Sequence, residues 1–406
     1  MKEVIIIGGG ASGMAAAVFA AEAGLSVTLY EKNEKLGKKV YITGKGRCNF
    51  TNVCTPDEFL NAVVTNRKFL YSTAYGFTAD DTVSFFERLG LKTKVERGRR
   101  AFPESDHASD VTKVLEKKMR ELGVKICLNR EIKELPMPDE KRSVLVATGG
   151  LSYPSTGSTG DGYVFAKKAG HTVTRTSPSL VALILKEDFI PELEGLSLRN
   201  VRLVAGSKKK KMFDDFGELV FTRKGISGPL ALSASALIGP VLEEIPAFID
   251  LKPALSEETL DLRLTREIEK GPNRSFKNMI RSLLPAKLVP VFVQLTKIAP
   301  ERPANSITRE ERKTIIGCLK NFQITISGTG GFSEAVITRG GVCVKEIDPK
   351  TMESKLVPGL YFIGEVLDVD ALTGGYNLQI AWSSAYAAVQ GIIYRCTSNL
   401  GNCETL

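Results

Sequence analysis

The stretch Val4-Ile5-Ile6-Ile7-Gly8-Gly9-Gly10-Ala11-Ser12-Gly13 decides the fold. Its four leading apolar residues read as a parallel strand buried on both faces. Gly8, Gly10 and Gly13 complete a GxGxxG pattern, and the small-residue run 14–23 reads as a helix stopped by Gly24. A second strand, Val27-Thr28-Leu29-Tyr30, ends in Glu31. Strand, tight turn, helix, strand and acid form the context in which this pattern means dinucleotide binding. Gly8 permits the turn, Gly10 lets backbone approach a pyrophosphate, and Gly13 lets helix and strand pack closely. Ala11 and Ser12 lie at the helix N-terminus, whose free N–H groups and positive dipole end suit phosphate. Glu31 is placed to accept from ribose hydroxyls and disfavours a 2′-phosphate. The motif by itself fits FAD and NAD alike.

The following residues separate those two. NAD dehydrogenases normally pass from the second strand to another helix and strand. Here a Gly- and Lys-rich loop follows, with Lys32, Lys38, Lys39, Thr43, Gly44, Gly46, Arg47, Cys48 and Asn49. Such a loop suits wrapping a longer ligand: Arg47 can neutralise pyrophosphate and Asn49 can bond a polar ring edge. A basic surface loop is the plainer reading, but the glycines flanking Arg47 favour ligand contact. Farther on, a strand over 143–147 ends in Thr148, Gly149 and Gly150. Near the C-terminus, a strand over 360–363 runs into Gly364, Glu365 and Asp368, then Gly374-Gly375-Tyr376-Asn377 and a small-residue helix from Leu378. The N-terminus of that helix offers a second donor array, suited to a flavin ring that gains negative charge on reduction.

A chain of 406 residues predicts two or three domains, and 43% hydrophobic with 25% charged residues describes an ordered soluble protein. Apolar runs are short, so no membrane-spanning segment is expected, and the N-terminus lacks a basic leader. Seven scattered cysteines suggest neither a disulfide framework nor a zinc site, and a cytoplasmic location is expected. The net charge of +9 could attract nucleic acid or an anionic cofactor. Its main basic run, 208–211, lies between a strand-like 201–205 and a turn-like Asp214-Asp215, and reads as a solvated hairpin tip.

Apolar–polar alternation over 198–204 and 218–222 predicts antiparallel strands. Charged helical patterns follow over 256–270, 276–284 and 309–322, separated by prolines. The fold class is therefore α/β: a Rossmann-type FAD-binding domain with an inserted β-barrel-like domain and a small helical subdomain. Residues 1–185 and 324–406 form the FAD-binding domain, 186–250 the first part of the insert, and 251–323 the helical subdomain and return.

These motifs together resemble the BaiN/YhiN-like family of FAD-dependent oxidoreductases, within the glutathione-reductase-like two-dinucleotide-binding flavoproteins. The resemblance rests on GGGASG at 8–13, GKK at 37–39, TGKGRCNFTN at 43–52 and ATGGLSYPSTGSTGDGY at 147–163. It continues through GELVFTRKGISGP at 217–229, TRGGV at 338–342 and GLYFIGEVLDVDALTGGYNLQIAWSSA at 359–385. It implies that Glu31 holds the adenosine ribose and Arg47 the pyrophosphate side, with Asn49 nearer the flavin. Ile132 would lie by the adenine, Thr148 and Gly149 along the cofactor edge, and Asp368 at the ribityl chain. Gly375, Tyr376, Asn377 and Leu378 would sit at the isoalloxazine. Members often carry a His where this chain has Arg223, which puts any role of that His in doubt.

No catalytic base emerges. His107 and His171 lack a clear acid–base partner and read as structural, and Cys48 reads as packing. The flavin is then the reactive group, with Arg223, Arg339 and Tyr376 as substrate contacts and surface exposure as the plainer reading of Arg223 and Lys224. The expected function is hydride transfer between a small organic substrate and FAD, with NAD(P)H or oxygen as electron partner. One alternative is a small amine or aminoketone oxidase. Another is a nucleic-acid-associated flavoprotein akin to tRNA-modifying enzymes, against which no aromatic-interleaved basic stripe is visible in the sequence.

Overall fold

The computed structural model describes residues 2–207 and 211–401, with 397–401 described through the backbone alone. The chain forms two compact units: one runs to Ser179 and resumes at Phe332, and the other is Leu180–Gly331.

The first unit is built on the opening strand β1 (Glu3–Ile7), helix α1 (Ala11–Glu22) and strand β2 (Ser26–Tyr30). β1 pairs in parallel with β2 on one side and with Arg142–Val146 on the other, so it is central and buried on both faces. Leu360–Phe362 and Lys125–Cys127 complete a five-stranded sheet. Strand order reverses at β1, and in open parallel sheets the crevice beyond the strand C-termini at such a point holds the ligand. α1 is apolar all round and buried, and its run of alanines lets it pack on the C-terminal helix Tyr376–Gly401. That helix is anchored by Trp382, whose indole N–H donates to the Phe50 carbonyl at 2.8 Å. It is anchored again by Gln379, which accepts from the Thr51 and Thr82 hydroxyls and donates to the Phe77 carbonyl.

The second unit holds a closed barrel of six strands. Ser197–Gly206 and Lys211–Thr222 form its long hairpin; the basic tip, 208–210, lies outside the described residues. Two boundaries differ from the sequence reading. Leu183–Leu185 and Phe322–Thr329 pair with each other in the barrel, and neither belongs to the dinucleotide domain. The strand Phe322–Thr329 alternates, with Phe322, Ile324 and Ile326 pointing inward, and a partner far away in sequence sets its place. Asp214 and Asp215 are also in a strand and not at a turn, because Arg202 across the ladder pairs with the Asp214 carboxylate at 2.6 Å.

Helices Glu257–Lys270, Phe276–Ile280, Val289–Thr296 and Arg309–Lys320 form the helical part, the last opened by a capping box between Thr308 and Glu311. Val289–Thr296 escapes the sequence reading although Pro290 occupies its first turn, where proline suits a helix start. Among the described residues no helix is long and apolar enough to cross a membrane.

His171 is buried in the first unit between Ser354, at 2.7 Å from Nε2, and Glu346, at 3.2 Å from Nδ1. Burial lowers its pKa against the opposing pull of Glu346. A depressed His contributes stability above its unfolded pKa of about 6.5, and that contribution is lost as pH falls through the folded value. Urea titrations at pH 7.5 and 5.5 should show the wild type losing stability on acidification. His171→Gln should cost about 1–2 kcal/mol at pH 7.5 and show a shallower acid dependence.

Candidate cofactor and active site

Two close approaches of glycine to carbonyl shape the turn after β1. Gly8 has φ +108°, and a Cβ there would lie 2.4 Å from the Ala147 carbonyl oxygen. A Cβ on Gly13 would lie 1.9 Å from the Gly8 carbonyl oxygen. Only glycine allows the helix to press this closely on the strand ends. Gly10 differs, since a Cβ there would meet no atom within 4 Å. It caps α1 with no side-chain hydrogen bond, leaving the first turn open toward a ligand.

Glu31 is buried beside this turn. Its carboxylate accepts from the Gly9 N–H at 2.8 Å and from the backbone and side chain of Asn33. The Glu31 carbonyl accepts from the Arg130 N–H at 2.9 Å, which brings the segment carrying Ile132 alongside. Lys32 turns to Asp161 at 2.6 Å, and Lys38 to Asn33 and Glu34 at 3.3 Å. The loop 37–49 is a short helix, Lys38–Ile42, then a 3-10 turn, Thr43–Gly46, in which Gly44 and Gly46 take positive φ. The Thr43 hydroxyl donates to the Val40 carbonyl. Arg47 is held by Glu96 at 2.5 Å and Asp106 at 2.6 Å, and lies over the Phe102 ring. Asn49 keeps a buried Oδ1 that lacks a hydrogen-bond partner. Cys48 is fully buried, and burial pushes its thiol up to about 12, which makes it inert.

Along the other edge, three distant segments meet on Glu365. Its carboxylate accepts from Lys39 at 2.7 Å, the Ser152 hydroxyl at 2.5 Å and the Thr338 N–H at 2.9 Å. The Thr338 hydroxyl accepts in turn from the Leu151 and Ser152 N–H groups. A Cβ on Gly364 would lie 2.6 Å from the Ser12 hydroxyl, so this strand end touches the first turn of α1. A Cβ on Gly162 would lie 2.2 Å from the Thr148 hydroxyl, and one on Gly149 would lie 2.9 Å from the Ser158 hydroxyl. Sequence reasoning lists Lys39 and Glu365 but misses Ser152 and Thr338. Both lie in the quoted motifs, at a separation that hides their meeting.

The loop before the C-terminal helix carries two acids. Burial raises the Asp368 carboxyl above its ordinary pKa. Asp370, which sequence reasoning also misses, is fully buried; it accepts from the Ser179 hydroxyl at 2.8 Å and from Arg339 at 3.3 Å. Gly375 has φ +99°, and a Cβ there would strike the Thr51 backbone at 2.5 Å. The Asn377 amide staples the loop, accepting from the Ala371 N–H and donating to its carbonyl. Tyr376 is half-buried; burial, then the neighbouring Cys54, raises its pKa, and Leu378 packs on the core. Arg223 and Lys224 are exposed at a hairpin turn in the barrel unit.

The first-unit residues fit an extended dinucleotide: an uncapped helix start, open space over Gly10, an acid at the end of β2, and an orphaned polar atom at Asn49. The pattern of the HI0933-like protein Rossmann domain matches residues 2–391. The chain belongs to that family. It is an FAD-dependent oxidoreductase, as the resemblance to the BaiN/YhiN-like group implies. It is 33% identical to the 3-dehydro-bile acid delta(4,6)-reductase of Clostridium scindens over 96% of this chain and 98% of that one. It is 35% identical to the ribosomal RNA dihydrouridine synthase of Haemophilus influenzae over the same shares. The fold is also similar to the 3-ketosteroid delta1-dehydrogenase of Sterolibacterium denitrificans, with a TM-score of 0.52 and 12% identity over 97% of this chain and all of that one.

Two glycine replacements separate cofactor binding from folding. Gly10→Ala should leave the apoprotein within about 1 kcal/mol of wild type in urea, since the added methyl touches no protein atom. Flavin titration of the same variant should show a marked loss of FAD affinity. Gly13→Ala should lose both, because its methyl group collides with the Gly8 carbonyl.

Proposed function

We propose that this enzyme saturates a carbon–carbon double bond conjugated to a carbonyl, with electrons drawn from NAD(P)H. One observation carries the reading: the chain aligns almost end to end with two relatives whose names describe that kind of reaction, and its first unit offers the features an FAD cradle needs. A delta(4,6)-reductase of a 3-oxo steroid and a dihydrouridine synthase both remove an alkene beside a carbonyl. Such a saturation takes one hydride and one proton.

The chain's own residues divide the work. The first turn of α1, with Gly8, Gly10, Ala11, Ser12 and Gly13, would receive the pyrophosphate. Glu31, with the 129–132 segment beside it, would hold the adenosine end. Glu365, fixed by Lys39, Ser152 and Thr338, and Asp368 would face the middle of the cofactor. The Gly375–Leu378 turn would place helix N–H groups at the ring. FAD bound there supplies the hydride-exchanging ring. Arg339, tied to Asp370, and Tyr376, within that turn, would be the groups able to polarise a carbonyl or hold a proton.

Two substrate types present the required bond, a small enone and a uracil base in RNA. The net charge of +9 favours the polyanion, because basic proteins gain affinity for nucleic acid from counterion release.

Anaerobic mixing of the yellow protein with NADH and NADPH tests the reading, followed by a 3-oxo-4-ene steroid or an oligouridylate. Bleaching by a nicotinamide and recolouring by either alkene is the expected result. A flavin that both nicotinamides leave oxidised, but amines reduce and air recolours, would replace this reading with the amine oxidase.

A further inference from the structure

The segment between Asn66 and Gly76 carries side chains that the cofactor cradle does not use. It opens as a 3-10 turn, Arg67–Leu70, and continues as the helix Tyr71–Gly76. Phe69, Leu70, Thr73 and Ala74 face the core, so packing accounts for that side. Spacing of four residues puts Tyr71 and Tyr75 together on the opposite face of the helix, and Arg67 and Lys68 are exposed on the 3-10 turn that leads into it. Tyr71 is 58% exposed and Tyr75 47% exposed, with ring centroids 5.0 Å apart. Folding alone gives no reason to keep two neighbouring tyrosines in water.

We infer that Arg67, Lys68, Tyr71 and Tyr75 form a platform on which single-stranded RNA stacks beside the cofactor cradle. The inference rests on the RNA reading of the substrate given above. Aromatic faces accept any base, and adjacent cations take the phosphates, which is how proteins grip single strands without reading sequence. Both rings are already oriented. The Tyr75 hydroxyl donates to Asp57 at 2.8 Å, which pushes its pKa up to about 12 and keeps it a neutral donor. Asp57 keeps its charge in this bond, and Arg67 is steadied by Asn61 at 3.1 Å.

Position supports the same conclusion. The Asn66 amide donates to the Asp368 carbonyl at 2.7 Å, and the Val64 N–H to the Asp370 carbonyl at 2.8 Å. Val63 bridges to Ala371, and the Phe59 ring lies 6.4 Å from that of Tyr376. The platform is thus tied directly to the loop that leads into the cofactor-facing turn. A strand stacked on it is held next to the place where one of its bases would react. The sequence hides this stripe because its two tyrosines become neighbours only through helical spacing.

Fluorescence anisotropy of the flavin-loaded protein with a short labelled oligouridylate tests the proposal across a range of salt. Tyr71→Ala and Tyr75→Ala should each weaken binding by about five- to a hundredfold, the loss of one base stack. Arg67→Ala should also flatten the slope of log affinity against log salt by about 0.7, one phosphate contact on a single strand. Phe216→Ala, an exposed aromatic on the barrel, should bind as wild type. Flavin content and urea midpoints verify that each variant is folded. Wild-type protein that ignores the oligouridylate, or tyrosine variants that bind it unchanged, would overturn the platform. So would an RNA duplex that competes equally well, or a Tyr71→Ala effect confined to the oligomeric state in gel filtration. Bleaching by nicotinamide and turnover of the steroid enone report the reductase chemistry separately, so either idea can fail alone.

Discussion

The contact on which the structure depends is the approach of α1 to the ends of β1 and the strand Arg142–Val146. The space between Gly13 and the Gly8 carbonyl, and between Gly8 and the Ala147 carbonyl, is too small for one methyl group. This closeness fixes the helix axis over the sheet. It directs the helix N-terminus at the crevice beyond the strand ends, where the dipole and unpaired N–H groups are useful. Ser12 then touches Gly364, so the last strand of the sheet takes its position from the same turn. The alanine-rich faces of α1 and the C-terminal helix keep both helix starts near one crevice.

Polar groups around that crevice are supported rather than free. Glu365 accepts three hydrogen bonds from three other segments, and Glu31 is held by Gly9 and Asn33. Buried carboxylates survive only when their charge is compensated in this way. The arrangement preorganises acceptors before any ligand arrives, so binding loses less entropy to ordering side chains. Arg47 is a counterexample to simple expectation. Its guanidinium is committed to Glu96 and Asp106, two carboxylates in the 93–106 region, and its charge toward a phosphate is offset by theirs.

Much of the first unit was legible because its signals are local. GxGxxG, the acid after β2 and the small-residue helices each occupy one short stretch. The barrel was legible as strands, since alternation is local too, but its closure was not. The pairing of Leu183–Leu185 with Phe322–Thr329 spans the whole insert, and nothing in either stretch names the other. The same reason hid Ser152, Thr338 and Asp370, whose roles arise only when remote loops meet. Asp214 looked like a turn residue because aspartate usually is one; an arginine across the ladder overrode that preference. Helix Val289–Thr296 was missed for a different cause: the stretch between Pro285 and Pro303 reads as a break between helices, although Pro290 suits a helix start.

The order of the strands has a consequence for how the protein is made. β1 leaves the ribosome well before its sheet can be finished, since Leu360–Phe362 must be available, and the second helix start follows that strand. All strands of the barrel, by contrast, have been synthesised once residue 329 has emerged. Domains tend to fold as units during synthesis, so the middle of this chain can be native while its beginning is still waiting. Flavin capture then waits for the Gly375–Leu378 turn, and so comes later in synthesis than the folding of the barrel.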